Sequence, residues 1–148
     1  MRTMSQNSLA KAAICSLALG ALFANSGCIA AAACDTSDDG NPPVRYEGGT
    51  TTEDGLYYSS PWNGGWLHFP GGKRYDLVHG LGFQPQSIGI FLSFSENGVG
   101  NDGQGSSAAP SAGNSSPVQL VNDEIIRIKN DTCSEFWVRV TASGKPGS

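Results

Sequence analysis

Hydrophobic and polar residues alternate with a period of two along several short segments of this chain. In the clearest segment, residues 87–94, every second residue is a large aliphatic or aromatic side chain. Because successive side chains of a strand point to opposite faces of a sheet, the pattern predicts strands. Seven segments alternate in this way or form short apolar runs between turn residues: Leu56–Ser59, Trp66–Phe69, Arg74–His79, Ser87–Phe94, Val118–Val121, Glu124–Lys129 and Glu135–Thr141.

The predicted fold is all-β. Beyond the apolar N-terminal run, no segment has the i, i+3, i+4, i+7 stripe of an amphipathic helix. Strands at this spacing favour a small antiparallel β-sandwich of six to seven strands over residues 55–148, or a small barrel. The alternation predicts a shared core of Ile88, Ile90, Leu92, Ile126, Ile128, Phe136, Val138 and Val140. It places Arg127, Lys129, Arg139 and Thr141 on a solvent face.

Two stretches lack the apolar residues that a core requires. Residues 95–116 are rich in Gly, Ser, Asn and Ala, and Val99 is their only branched aliphatic residue. This composition predicts a surface loop. Residues 28–54 are poor in large apolar side chains, with Asp, Gly, Thr and Pro prominent from Asp35 onward, and predict a flexible tether.

The N-terminus has the layout of an export signal over residues 1–27. Arg2 and Lys11 precede the uncharged apolar run 12–24, and Cys28 follows two small residues. This ending resembles a bacterial lipoprotein signal, in which such a cysteine accepts a diacylglyceryl group and becomes the new N-terminus. The resemblance implies that Cys28 is lipidated, and Cys34, after Ala32 and Ala33, is the alternative.

The lipoprotein resemblance implies a place on the bacterial outer membrane or cell surface through an N-terminal lipid anchor. Two other interpretations stay open, namely cleavage near residues 30–33 to give a secreted protein, and an uncleaved apolar anchor. In all three the acidic part of the chain is exported.

Export determines which cysteines can form a disulfide. Cys15 lies in the apolar run, and if Cys28 carries lipid, Cys34 and Cys133 remain. Two cysteines in an oxidising compartment can pair, so we expect a Cys34–Cys133 disulfide, with two separate thiols as the alternative.

The acidic charge balance argues against nucleic acid as a partner. The chain carries a formal charge of -4, and removal of residues 1–27 leaves seven basic against thirteen acidic residues. A nucleic-acid-binding domain needs a basic face.

Catalytic and metal-binding patterns are weak. The chain has no G-x-S-x-G motif, and no neighbouring residue pattern orients His68 or His79 as a general base. The acidic residues fall in turns or on predicted solvent faces. The sequence therefore predicts no enzyme, cofactor or metal site.

Aromatic residues are the most informative feature. Six of them fall within residues 57–75, where they either fill the core or bind a ligand by stacking. The candidate ligand-binding residues are Trp62, in a turn, together with Tyr58, Trp66 and Trp137.

The order of turns and strands over residues 66–141 resembles the receptor-binding modules of phage tail fibres and the H-type lectins. The resemblance rests on the His79–Pro85 turn before a strand, the Gly-rich loop, the 123–130 segment and the final strand. The H-type lectins are six-stranded sandwiches that bind sugars and trimerise, but no sugar-contacting residue of either family can be placed here, so the resemblance implies the fold more than the ligand. We therefore expect a surface module that binds a glycan or a protein, with a structural or assembly role in the envelope as the alternative and a homo-oligomer possible in either case.

Overall fold

Short strands account for the architecture of the chain. The computed structural model describes residues 34–61, 64–99, 108–111 and 115–146. Within these ranges the strands are β1 Val44–Tyr46, β2 Thr50–Thr51, β3 Leu56–Tyr58, β4 Leu67–Phe69, β5 Arg74–Val78, β6 Ser87–Ser93, β7 Ala109–Pro110, β8 Val118–Val121, β9 Ile125–Lys129 and β10 Phe136–Ser143. No helix in the described ranges is long and apolar enough to cross a membrane.

The strands form two sheets with a sandwich-like arrangement. The four-stranded sheet has the order β1-β5-β9-β8, and the six-stranded sheet has the order β2-β3-β10-β6-β7, with β4 also paired to β10. All pairs are antiparallel except β1 and β5, which run parallel. The predicted all-β sandwich is confirmed, with more strands than the six to seven expected.

The core lies between the two sheets and confirms the predicted alternation. Leu92, Ile126, Ile128, Val138 and Val140 are buried in one cluster, and the other three predicted members pack against it. Aromatic residues from the first strands complete the cluster: Tyr57, Phe69 and Tyr75. Three of the six aromatic residues within residues 57–75 therefore fill the core rather than bind a ligand.

The predicted tether is wrong for its second half. Strand β1 pairs with β5 and β2 pairs with β3, so residues 44–46 and 50–51 belong to the sheets. Asp38 lies 3.1 Å from Nζ of Lys129 and accepts hydrogen bonds from Gln119. Strands of two or three residues are too short to show an alternation, which is why the sequence pattern did not reveal them.

Part of the predicted surface loop is also a strand. Ala109 and Pro110 pair with Leu92 and Phe91 of β6, and the Ser111 N–H donates to the carbonyl of Ile90. Residues 100–107 and 112–114 lie outside the described ranges. The sequence did not predict this pairing, because β7 is a two-residue strand that contributes backbone hydrogen bonds to the sheet and no side chains to the core.

Two residues of the predicted solvent face are buried. Lys129 is 8% exposed and forms ion pairs with Asp38 and Asp131. Arg139 is 5% exposed. The alternation assigned both side chains to the correct face, but it could not show that other segments cover that face.

The expected disulfide between Cys34 and Cys133 is present. It joins the start of the described chain to the turn between β9 and β10. The neighbouring turn is held by Asn130, whose buried Nδ2 donates to the carbonyl oxygens of Phe69 and Ser134 at 2.8 and 2.9 Å. The segment before β1 is therefore covalently attached to this turn.

Replacing Tyr57 by Phe is expected to stabilise the fold by about 1 kcal/mol, because the Tyr57 hydroxyl is buried with no hydrogen-bond partner among the described residues. Burial raises the pKa of this phenol above its ordinary value. The protonated form therefore stabilises the fold below pH ~10, and that contribution is lost as the pH rises and the unfolded phenol ionises. The advantage of Tyr57→Phe should widen above pH 10 in denaturant melts.

Tyr75→Phe is the matched control for this prediction. The Tyr75 hydroxyl donates to the carbonyl of His68 at 2.9 Å, so its removal should cost about 1 kcal/mol. A stabilised Tyr75→Phe or a destabilised Tyr57→Phe would show that the hydroxyl environments are reversed.

Candidate functional site

The candidate site lies on the outer face of the six-stranded sheet, the face directed away from the core. Along β10 the side chains of Val138, Val140 and Ala142 are buried in the core, so those of Trp137, Arg139 and Thr141 lie on the outer face. In the register of the sheet, Arg139 is opposite Phe91, and Thr141 is opposite Gly89 on one side and Tyr58 on the other.

One cleft on this face, the Trp66 cleft, has a volume of about 330 Å³. Aromatic and polar side chains line it together, a composition typical of small-molecule sites. Its lining residues are Trp66, Phe91, Asn97, Gly98, Ala108, Pro110 and Arg139. The cleft thus lies where β10, β6 and β7 meet the turn after β6.

Backbone contacts hold Trp66 in the cleft wall. Its N–H donates to the carbonyl of Glu96 at 2.7 Å, which ties the segment before β4 to the turn after β6. Gly98, in that turn, has φ +70° and lies against the indole. A Cβ at residue 98 would lie 2.9 Å from Cζ2 of Trp66, so glycine is required for this close approach.

Arg139 is fixed by several contacts. Its Nε donates to Oγ of Ser60 at 3.2 Å, and its Nη2 donates to the carbonyls of Pro61 and Gly64 at 2.7 and 3.3 Å. Its Cζ lies 4.6 Å from the centroid of the Trp66 ring, a cation–π geometry. Burial lowers the pKa of this guanidinium, which nevertheless stays charged at any physiological pH.

A second cleft, the Tyr58 cleft, adjoins the other side of Phe91 and has a volume of about 270 Å³. Tyr58, Phe91, Thr141 and Ser143 are among its lining residues. Gly89 lets the Phe91 ring and the Thr141 side chain lie close to its backbone, since a Cβ at residue 89 would lie 2.8 Å from Oγ1 of Thr141 and 3.2 Å from Cε2 of Phe91. Phe91 thus separates two adjacent clefts.

The structure brings together two of the predicted ligand-binding residues, Tyr58 and Trp66, on either side of Phe91. Trp137 shares the outer face, but its ring packs 5.3 Å from His68, and it is not among the residues that line these two clefts. Trp62 and the lipidation candidate Cys28 lie outside the described residues. Sequence reasoning missed Phe91 and Arg139, although an outward Phe between Gly89 and Ser93 was a visible signal.

The two histidines have structural contacts. The buried His79 accepts a hydrogen bond at Nδ1 from the N–H of Leu81, and its Nε2 lies 3.1 Å from the carbonyl of Asn122. The exposed His68 pairs with Glu135 at 2.7 Å. Within the described part of the chain, no three His, Cys, Asp or Glu residues come together as metal ligands.

No family model, curated protein or solved structure matches this chain.

Proposed function

We propose that this protein is an exported, lipid-anchored module whose outer face binds a glycan. The observation that carries the proposal is the pair of clefts on either side of Phe91, with Trp66 and Tyr58 beyond it. Flat aromatic side chains stack on the apolar faces of sugar rings, and neighbouring polar groups bind the hydroxyls. The partly exposed rings of Phe91 and Tyr58 are available for this stacking, whereas Trp66, 9% exposed and packed against Arg139 and Gly98, forms the cleft wall.

The polar groups around the clefts support a sugar over a purely apolar ligand. Asn97 and Arg139 line the Trp66 cleft, while Thr141, Ser87 and Ser143 line the Tyr58 cleft. These side chains offer hydrogen-bond donors and acceptors next to aromatic surface. Because two clefts adjoin one ring, successive sugar units of an oligosaccharide could occupy both at once.

Replacing Phe91 by Ala should weaken glycan binding about tenfold, because the ring contributes stacking and apolar contact to both clefts. Binding is measured on a glycan array with labelled full-length protein, and dissociation constants are then determined for the glycans that bind. The chain offers a matched control, since Phe94 is 70% exposed and does not line either cleft. Phe94→Ala should bind like the unmodified protein.

Equal affinity in all three proteins, with the fold intact by circular dichroism, would contradict the site. Loss of binding in Phe94→Ala alone would place the ligand at the end of the sandwich, where the Phe94 and Phe136 rings lie 5.1 Å apart.

The lipid anchor is the second part of the proposal, and its support is the Ser26-Gly27-Cys28 sequence after the apolar run. We expect the protein extracted from bacterial membranes to begin at Cys28 and to carry the additional mass of a lipid. Cys28→Ser should abolish both features. Intact mass spectrometry decides the matter, since an N-terminus at Cys34 or an unmodified soluble product would overturn the assignment.

A further inference from the structure

We propose that one end of the sandwich rests on the membrane, with the rings of Phe94 and Phe136 in the interfacial layer of a zwitterionic lipid bilayer. These two rings form the Phe94 patch. The inference rests on the lipid anchor of the proposed function and adds the surface through which the folded module contacts the bilayer. Three observations support it: the exposure of the patch, the attachment of the N-terminal chain beside it, and the charges around it.

The Phe94 patch lies where the core reaches the solvent. Phe94 directly follows β6 and Phe136 begins β10, two strands that pair side by side. The two rings lie 5.1 Å apart, and Phe136 also packs against the buried core cluster. Phe94 is 70% exposed, more than any other large hydrophobic residue in the described ranges. Apolar surface therefore continues from the core to the solvent at this end of the sandwich.

The disulfide determines where the N-terminal chain is attached. Cys34 is bonded to Cys133, which lies three residues before Phe136, so the Cα atoms of Cys133 and Phe136 are at most about 11 Å apart. Cys28, the proposed site of lipidation, precedes Cys34 by six residues, and a chain of that length spans at most about 20 Å.

This length decides which end of the sandwich faces the bilayer. Strand β10 begins at Phe136 and has eight residues, so its length is about 23 Å. The far end of β10 is therefore farther from Cys133 than a chain of six residues can span. The acyl chains on Cys28 hold the end with the Phe94 patch next to the lipid, and not the opposite end.

The charges around the patch favour a zwitterionic over an anionic lipid surface. Glu135, next to Phe136, is exposed and pairs with His68 at 2.7 Å, and Asp131 is 40% exposed in the same turn. The chain after residue 27 carries seven basic against thirteen acidic residues. Anionic headgroups attract basic segments and repel acidic ones, whereas aromatic side chains enter the boundary between headgroups and acyl chains by apolar contact.

This contact would set the orientation of the glycan-binding clefts. Strand β10 runs from the Phe94 patch to Ser143, which lines the Tyr58 cleft. With the patch on the bilayer, the Tyr58 cleft lies about 20 Å farther from the lipid than the patch does. The outer face is then accessible to a glycan from the side of the module.

The experiment places full-length, isotope-labelled protein from bacterial membranes in nanodiscs of zwitterionic lipid, a small fraction of which carries a nitroxide on the headgroup. The nitroxide broadens the signals of nearby backbone amides. We expect the strongest broadening at Phe94 and residues 135–137, and the weakest at residues 82–87, at the opposite end of β6. Replacing part of the lipid by an anionic lipid should not increase the broadening. Uniform broadening, or broadening that is strongest at residues 82–87, would overturn the inference.

A variant pair checks that the exposed ring makes the contact. Phe94→Ser should reduce the broadening at residues 135–137 at least threefold. Leu120→Ser is the matched control, since Leu120 is an exposed apolar residue, 39% accessible, on the edge strand β8, and it should leave the broadening unchanged. Equal broadening in Phe94→Ser and the unmodified protein would contradict the assignment.

Two further outcomes separate this inference from its alternatives. An intact mass without lipid would overturn the proposed anchor itself, whereas a lipidated protein without broadening at Phe94 would overturn only the membrane contact. Amide shifts at Phe94 that depend on protein concentration in detergent, without broadening by the spin-labelled lipid, would assign the patch to a second copy of the chain and overturn the inference.

Discussion

Reduction of the Cys34–Cys133 disulfide is expected to lower the free energy of unfolding by about 4 kcal/mol. The bond closes a loop of about 100 residues, and in the chain-entropy account a cross-link of that length restricts the unfolded chain by this amount. For a domain of this size the melting temperature should fall by roughly 15 °C or more. Thermal melts with and without dithiothreitol measure the difference.

The double variant Cys34→Ser, Cys133→Ser is the control for this measurement. It should melt at the temperature of the reduced protein and be insensitive to dithiothreitol. If the reduced and oxidised proteins melt together, the bond does not restrain the unfolded chain, and the contacts of Asp38 and Asn41 hold the segment before β1.

Truncation of Ile128 to Ala should cost about 2–5 kcal/mol of unfolding free energy. Ile128 is fully buried in strand β9, within the cluster that joins the two sheets. Removing three methyl or methylene groups there loses their transfer free energy and leaves a cavity that the packed neighbours fill only in part. Denaturant melts of the variant and the unmodified protein give the loss.

Val118 provides the comparison, because it is paired with Ile128 in the sheet register but is 40% exposed on the edge strand β8. Val118→Ala should cost about 0.5 kcal/mol or less, as surface changes usually do. Losses of equal size would mean that the core does not lie between the sheets at this strand.

The longer strands could be predicted because their alternation is set by burial on one face. Strands β5, β6, β9 and β10 have five to eight residues, enough for a period of two to be visible. Strands β1, β2 and β7 have two or three residues, and their sequences look like loop. They form because they are hydrogen-bonded to neighbouring strands, and a local hydrophobic pattern does not show such pairing between segments that are distant in sequence.

The candidate site was only partly visible in the sequence for a similar reason. Tyr58 and Trp66 could be proposed from the sequence because the ability of a side chain to stack on a ligand follows from its being aromatic. The role of Arg139 depends on three oxygens that are distant in sequence, of Ser60, Pro61 and Gly64, and on the approach of Gly98 to Trp66. From alternation alone, an outward-facing arginine on a strand is predicted to be solvent-exposed, because the pattern does not show which other segments cover it.

The proposed glycan site on the outer face of the six-stranded sheet is tested most directly by chemical-shift mapping. Isotope-labelled protein is titrated with the glycan that gives the strongest array signal, and backbone amide shifts are followed. We expect the largest changes at Phe91, Arg139 and residues 96–98, with β1 and β8 of the four-stranded sheet unchanged. Changes confined to the four-stranded sheet, or no changes at saturating glycan, would contradict the account.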